Sequence, residues 1–150
     1  MADLKIVHIP YKGNAPSLIA LASGEADLAF NTFPSALPLI KIGKLRALAV
    51  TSKSRSGVAP ELPTLHEAGL KDYEAVAWTG LGAPALTPQE IVRHINAAVV
   101  KVVNTADFRE RLKAEGSDPV GNTPEEYAAF LRDEILKWRG VIRFAGVKPE

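Results

Sequence analysis

The first half of the chain alternates short β-forming runs with short helical runs. Hydrophobic periodicity and turn residues predict strands over 5–9, 26–30 and 45–51, and helices over 15–22 and 35–42. Because parallel strands need a crossover helix between them, this alternation is typical of an α/β fold with a mainly parallel sheet. The runs LAF and LRALAV are nearly continuous in apolar residues, which indicates a sheet covered by helices on both faces. Gly24 and Gly43 lie where the two helices are expected to end.

The second half is predicted to be mainly helical. A surface loop, a short helix and one more strand lead into it, over 52–63, 64–68 and 73–81. The sequences TPQE at 87–90 and TPEE at 123–126 then each place Thr at the N-cap, Pro at the first helical position and Glu at the third. Two helices therefore start there, and a third is predicted between them around Phe108 and Leu112.

The phrase PYKGNAP, at 10–16, joins the first predicted strand to the first helix. In parallel α/β sheets, ligands lie beyond the carboxyl ends of the strands, where loops enter helices. Gly13 lets the backbone turn, and Asn14 is predicted as the N-cap, so that the first free N–H groups face a bound anion. Lys12 brings a positive charge on a flexible stem. The structural alternative is that Asn14 only caps the helix and Tyr11 packs.

A second junction of the same kind follows the second predicted strand. Its uncharged hydrogen-bonding side chains are Asn31, Thr32 and Ser35. Pro38 lacks an N–H group, so it fits a helix that starts close before it, with Ser35 at the N-cap. Thr51 and Ser52 end the third strand at the same edge. Such a group of neutral donors suits carboxylate recognition, although ordinary turn chemistry would also place these residue types here.

Composition narrows the classes of function. With 150 residues and 47% hydrophobic content, the chain is expected to bury the core of one ordinary domain. Its formal net charge of +1, with both signs interspersed, argues against nucleic acid or an anionic membrane as a partner. There is no Cys, so the redox compartment is not decided. No apolar run approaches the ~18 residues that a membrane span needs, and the N-terminus as written shows no export signal.

Enzymatic signatures are missing. No G-x-S-x-G, G-x-x-x-x-G-K-[ST] or G-x-G-x-x-G motif occurs. The sequence HEAGL at 66–70 lacks the second His of a metalloprotease helix, and His66 and His94 have no partner at metal-ligand spacing. His8 lies in an apolar alternating run and is interpreted as a core or edge histidine rather than a base. Glu25 and Asp27 are interpreted as solvated charges. We therefore predict no catalytic residue, no metal site and no cofactor.

Four segments together resemble one family along nearly the whole chain. They are PYKGNAPSLIALASGEADLAFNTFPSALPLIKIGKLRALAVTS, ELPTLHEAGL, AWTGLGAPALTPQEIVRHINAAV and RLKAEGSDPVGNTPEEYAAFLRDEILKW. The family is the tripartite tricarboxylate transporter receptors, the Bug family of periplasmic solute-binding proteins. The resemblance implies a type II periplasmic-binding-protein-like lobe and no enzymatic activity. It also implies that two lobes close on a small carboxylate and present it to a membrane permease.

The resemblance also implies which residues contact the ligand. They belong to two loops: Tyr11, Lys12, Gly13, Asn14 and Ala15 in the first, and Asn31, Thr32, Pro34 and Ser35 in the second. These are the loops that the helix-terminus argument selects independently. Many relatives carry Asp at the position of Asn31, and the neutral amide here spares an anion site one repulsive charge.

The resemblance covers the C-terminal half of the family pattern, in which a signal peptide and a first lobe precede the position of Asp3. Residues 1–78 are then expected to form the ligand-binding α/β region of the second lobe. Residues 79–150 are expected to supply a crossover strand, at 77–83, and C-terminal helices that normally pack on the first lobe. Apolar faces such as that of Ile91 would then be uncovered, which predicts a homodimer, strand exchange or reorganisation onto the remaining sheet.

Three functions follow as alternatives. The first is part of a periplasmic receptor that captures a small carboxylate. The second is a cytosolic ligand-sensing or regulatory domain of the same fold, because a fold alone does not fix a function. The third is an inactive truncated fragment that acts only as an interaction module. A signal peptide and first lobe encoded upstream would favour the receptor, and a DNA-binding helix-turn-helix would favour the sensor.

Overall fold

In the computed structural model of the chain, residues 5–146 are described, and α-helices supply their regular structure. The helices are α1 (Asn14–Ser23), α2 (Phe33–Lys41), α3 (Gln89–Val103), α4 (Ala106–Ala114) and α5 (Pro124–Ala145). The predicted bounds of α1 and α2 and the predicted starts of α3 and α5 lie within two residues of the observed ones. The start of the family resemblance at Asp3 lies outside the described residues.

The chain divides into two compact units. The first consists of Met1–Gly80 and Ala106–Pro119, and it contains α1, α2 and α4. The second consists of Leu81–Thr105 and Val120–Glu150, in which α3 packs against α5. The predicted assignment of 1–78 and 79–150 to two lobes of a longer receptor remains a prediction.

The predicted parallel sheet is not confirmed, because residues 5–146 contain no β-strand. Extended pairing is limited to an isolated parallel bridge between Val50 and Thr64. There the Val50 N–H donates to the Pro63 carbonyl at 2.9 Å and the Val50 carbonyl accepts from Leu65 at 3.0 Å. Residues 64–68, predicted as a helix, form this bridge and a turn instead. The apolar periodicity of a sequence indicates which residues favour burial. A β-strand also needs a neighbouring strand within backbone hydrogen-bonding distance.

The described residues bury very little apolar surface. Their buried hydrophobic side chains are Leu18, Ala20 and Ala59. The chain exposes 11889 Å², whereas a folded monomer of 16.1 kDa is expected to expose about 7,400 Å². Val7 is 85% exposed and Leu86 is 96% exposed. The expectation from composition that this chain buries a core of its own is therefore wrong for the described residues.

Three helices end in the same glycine turn. Gly24, Gly43 and Gly116 follow α1, α2 and α4 with φ of 82°, 70° and 84°. After each glycine, the next N–H bonds the carbonyl five residues earlier, at 2.8 to 2.9 Å. This is the Schellman motif, which satisfies the last helical carbonyls and needs a left-handed residue. The predictions for Gly24 and Gly43 are confirmed.

The two predicted Thr caps have different outcomes. Thr123 is the N-cap of α5 and forms a capping box with Glu126, as predicted. The Thr123 Oγ1 accepts from the Glu126 N–H at 3.2 Å, and the Glu126 Oε2 accepts from the Thr123 N–H at 2.8 Å. For α3 the prediction is wrong: Pro88 is the N-cap, with ψ of 137°, and no side chain caps the helix. Because Pro88 is extended, Thr87 lies one residue too early to reach the first turn.

The predicted loop over 52–63 is anchored by one arginine. The Arg55 Nε donates to the Glu67 Oε2 at 2.9 Å, and an Arg55 Nη donates to the Pro60 carbonyl at 3.1 Å. Glu67 also accepts from the Thr64 N–H at 3.0 Å. That backbone hydrogen bond, with Arg55 beside it, holds the pKa of the Glu67 carboxyl below its ordinary value. The loop is thus tied to the bridge at Thr64.

Candidate functional site

The N-terminus of α1 is left without a side-chain cap. Gly13 is the N-cap, with φ of 99° and ψ of −179°, and no side chain bonds the first-turn N–H groups. A residue with a Cβ rarely adopts such a φ, which explains the glycine. The prediction of Asn14 as the N-cap is wrong, because the helix begins at Asn14 itself. Its side chain is therefore available for another partner.

The N-terminus of α2 is also without a side-chain cap. Thr32 is the N-cap, and Ser35, which was predicted to be the cap, is the third helical residue. The N–H groups of Ser35 and Ala36 donate to the Thr32 carbonyl at 3.1 and 3.2 Å. Pro38 lies inside the helix rather than in its first turn, so the Pro34 carbonyl loses its intrahelical donor. Neither α1 nor α2 has an acidic residue in its first turn.

Asn14 joins these two helix N-termini. Its Nδ2 donates to the Thr32 Oγ1 at 2.9 Å and to the Ser35 Oγ at 3.3 Å. The two hydroxyl oxygens lie 2.8 Å apart, and either can donate to the other. Asn14 and Thr32 are half-buried, whereas Ser35 is exposed. Three side chains predicted from separate junctions thus form one uncharged network, which we call the Asn14 network.

Asn31 lies beside this network with an unusual bonding pattern. Its Nδ2 donates to the Ser17 Oγ at 3.4 Å. Its Oδ1 is buried, and no hydrogen-bond partner for it is found within residues 5–146. A buried acceptor is stabilised when a hydroxyl or other donor reaches it. Sequence reasoning missed Ser17, although its place one turn after Asn14 on α1 was the available signal.

The remaining predicted residues surround the network without joining it. The Tyr11 carbonyl accepts from the Gly13 N–H at 2.9 Å, and the side chains of Lys12, Ala15 and Pro34 are exposed. At the third junction, the Ser52 Oγ donates to the Ser54 carbonyl at 2.7 Å. In the described part of the chain, no hydrogen bond links Thr51 or Ser52 to the Asn14 network.

The electrostatics of the site come from the helix ends. The side chains of the Asn14 network carry no charge. The positive end of a helix dipole and the unbonded N–H groups of a first turn together attract anions, and here two such ends meet. Over residues 5–146, no cluster of His, Asp or Glu could hold a metal ion. No helix in that range is long and apolar enough to span a membrane.

Comparison with known proteins assigns the chain to a family. A model described as the tripartite tricarboxylate transporter family receptor matches residues 1–147. The chain belongs to this family. Tripartite tricarboxylate transporter receptors are periplasmic solute-binding proteins and not enzymes.

The receptor family includes BugT of Bordetella pertussis, 35% identical over 140 residues that make up 93% of this chain and 43% of BugT. Three solved structures are similar. The protein Rpa4515 of R. palustris with adipate is 36% identical, with a TM-score of 0.88 over 100% of this chain and 50% of its own. The periplasmic binding protein BugD is 31% identical, with a TM-score of 0.79 over 98% of this chain and 50% of its own. MatC from Rhodopseudomonas palustris with bound malate is 35% identical, with a TM-score of 0.72 over 89% of this chain and 47% of its own.

These receptors are longer than the chain. It spans 42% to 43% of the first curated relatives and about half of each solved chain. Its structural neighbours are nevertheless periplasmic binding proteins, with a TM-score of 0.88 to one of them.

Proposed function

We propose that this chain forms part of a periplasmic receptor that captures a small carboxylate for a tripartite tricarboxylate transporter. The observation that carries the proposal is the bridge from Asn14 to Thr32 and Ser35, which brings two uncapped helix N-termini together. In α2, two of the first N–H groups bond the Thr32 carbonyl and Pro34 has no N–H, so Phe33 supplies the N–H donor of that helix. The first N–H groups of α1 supply the others, without a metal or a buried cation.

The ligand would lie against the two loops selected by the sequence. Its contacts would come from Tyr11, Lys12, Gly13, Asn14, Ala15, Asn31, Thr32, Pro34 and Ser35. Backbone N–H groups of the first turns would hold a carboxylate, and the one hydroxyl proton that the Thr32–Ser35 hydrogen bond leaves over would add to them. Exposed Lys12 would attract the anion from solvent rather than fix its position.

The class of ligand is supported by the relatives. Adipate and malate, named with two of the similar structures, are both small dicarboxylates. A neutral donor set at helix ends recognises the carboxylate group itself, so we propose a small carboxylate as the ligand class.

The rest of the receptor would complete the fold. We propose that the parallel sheet predicted from the sequence forms with the half of the receptor that the chain does not span, and that this half also closes over the ligand. A hinge between the halves would give capture and release, and a membrane permease would receive the ligand. Alone, the chain is expected to bind weakly: losing two charge-assisted hydrogen bonds costs ~3–6 kcal/mol, or roughly 10²- to 10⁴-fold in affinity.

The test is an NMR titration of the ¹⁵N-labelled chain with adipate, malate and the neutral diamide of adipate. We expect weak, saturable shifts at 13–17 and 31–36 with both acids and none with the diamide. Asn14→Ala should abolish them, because it removes the bridge between the helix ends.

The matched control is Ser23→Ala, at the far end of α1, where the Oγ bonds the Ala20 carbonyl at 3.1 Å. It should leave the titration unchanged. Shifts elsewhere in the chain, or equal effects of the two variants, would contradict the proposed site. Low-micromolar binding would show that the expected weakening is wrong.

A further inference from the structure

The turn that follows α4 packs against the first turn of α2. Gly116 is buried, with φ of 84°, at the Schellman end of α4. A Cβ built on Gly116 would lie 3.0 Å from the Phe33 Cδ1 and 3.4 Å from the Pro34 Cα. Phe33 and Pro34 are the residues that open α2. Glycine is therefore required at position 116 for two reasons: the backbone has a positive φ, and α2 leaves little space for a side chain.

The same turn also contacts the anchored loop over 52–63. The Asp118 Oδ2 accepts from the Ser56 Oγ at 2.6 Å, and the Ser56 Oγ accepts from the Val58 N–H at 3.3 Å. The Asp118 Oδ1 lies 3.2 Å from a Cβ built on Gly57. Because Arg55 ties this loop to Glu67, residues 116–118 connect the start of α2 to a fixed part of the same unit.

The rest of α2 is partly exposed. None of its residues is buried. Beside it lies a groove of about 550 Å³, lined by Pro34, Leu37, Pro38, Lys41, Ala114 and Glu115. The close contact at Gly116 and the Asn14 network therefore hold the first turn of α2 in place.

We infer that residues 116–118 position the N-terminus of α2 for ligand binding. Gly116 and Asp118 are positioning residues, since neither belongs to the Asn14 network and each acts through another element. The predicted effect on ligand binding rests on the proposed function. The predicted effect on the position of α2 rests on geometry alone. Moving the first turn of α2 shifts Thr32 and Ser35 relative to Asn14, so donors from the two helices no longer converge on one group.

The first test compares Gly116→Ala with Gly24→Ala. Both glycines end a helix in the same motif, with φ of 84° and 82°, so alanine adds the same backbone strain. A Cβ at Gly24 meets nothing within 4 Å, whereas one at Gly116 meets α2. We expect Gly116→Ala to weaken adipate binding by about tenfold, the effect of one charge-assisted hydrogen bond. Gly24→Ala should lower the melting temperature through the backbone strain alone and keep the affinity.

The second test uses Asp118. Asp118→Ala removes the acceptor for Ser56, whereas Asp118→Asn keeps an oxygen there. We expect Asp118→Ala to weaken adipate binding and Asp118→Asn to retain most of it. A merely electrostatic role would make both variants alike, and that result would overturn the positioning role.

NMR measurements on the ligand-free protein can test this inference separately from the proposed function. The ¹⁵N resonances of the Asn14 side-chain amide and of Thr32 should move in Gly116→Ala and not in Gly24→Ala. If the wild type binds no carboxylate but these resonances move, the proposed function fails and the positioning of α2 stands. If the resonances and the affinity are the same in both variants, the inference is wrong.

Discussion

The hydroxyls of Thr32 and Ser35 determine how many side-chain hydrogen-bond donors the site has available for a ligand. The two hydrogens of the Asn14 amide are already directed to the two hydroxyl oxygens. One hydroxyl then donates to the other across 2.8 Å, which leaves one hydroxyl proton for a ligand. Most of the anion contacts must therefore come from backbone N–H groups, whose positions are fixed by the helices.

Asn31 allows a test of this neutral character. Asn31→Asp would add a negative charge beside the proposed anion site, and we expect it to weaken adipate binding about tenfold at neutral pH through like-charge repulsion. Gln89→Glu, which adds the same charge on the exposed first turn of α3, is the control and should keep the affinity. NMR titration gives both dissociation constants, and equal values would argue against an anion at Asn31.

At the scale of the elements, the five helices were predicted, whereas the predicted sheet is not confirmed in residues 5–146 and the helix predicted over 64–68 is wrong. Helix ends are set by nearby residues, so Gly24 and Thr123 could be read from local sequence. The 5–9 segment has a strand-like pattern but no ladder partner, and a partner depends on chain that lies far away or outside these residues. The turn at Gly116 packs on α2 across more than 80 residues, which no local signal reports.

The two predicted caps provide a prediction about stability. Thr123→Ala should lower the free energy of unfolding by about 1 kcal/mol, because it removes the hydroxyl that caps α5. Thr87→Ala is the matched control in the same TP-x-E sequence, and it should change little, since no side chain caps α3. Urea denaturation measures both. A larger loss at Thr87 would contradict the assigned start of α3.

The candidate site shows the same division between local and distant signals. Two strand-to-helix junctions could be selected from residue types alone, and the structure brings Asn14, Thr32 and Ser35 together. The third junction at Thr51 was predicted at the same edge because a sheet was expected, and it does not join the network. Which donors converge depends on how α1 and α2 pack, and this is not encoded in either loop.

For the whole molecule, accessible surface is the decisive quantity. The chain exposes about 4,500 Å² more than the roughly 7,400 Å² expected for its mass. A standard protein interface buries only about 800 Å² on each partner. An excess of this size is closer to the area that is buried when a domain folds than to the area buried between two folded subunits. We therefore expect the rest of a receptor, rather than a second copy of this chain, to cover this surface.

Sedimentation can separate these partners. We expect the chain alone to self-associate as its concentration rises and to bind an environment-sensitive apolar dye, because apolar surface lacks cover. Adding the complementary half of a similar receptor should give a one-to-one complex with low dye binding. A concentration-independent monomer with low dye binding would contradict both expectations, and a stable dimer that ignores the added half would favour self-association.

The exposure of residues such as Leu86 also affects the half-life of this polypeptide in a cell. Chaperones and proteases engage apolar segments that stay open, so the time such a chain survives depends on how soon it is covered. We expect its half-life in a pulse-chase experiment to lengthen when the complementary half is produced alongside it. The abundance of the one would then follow the supply of the other.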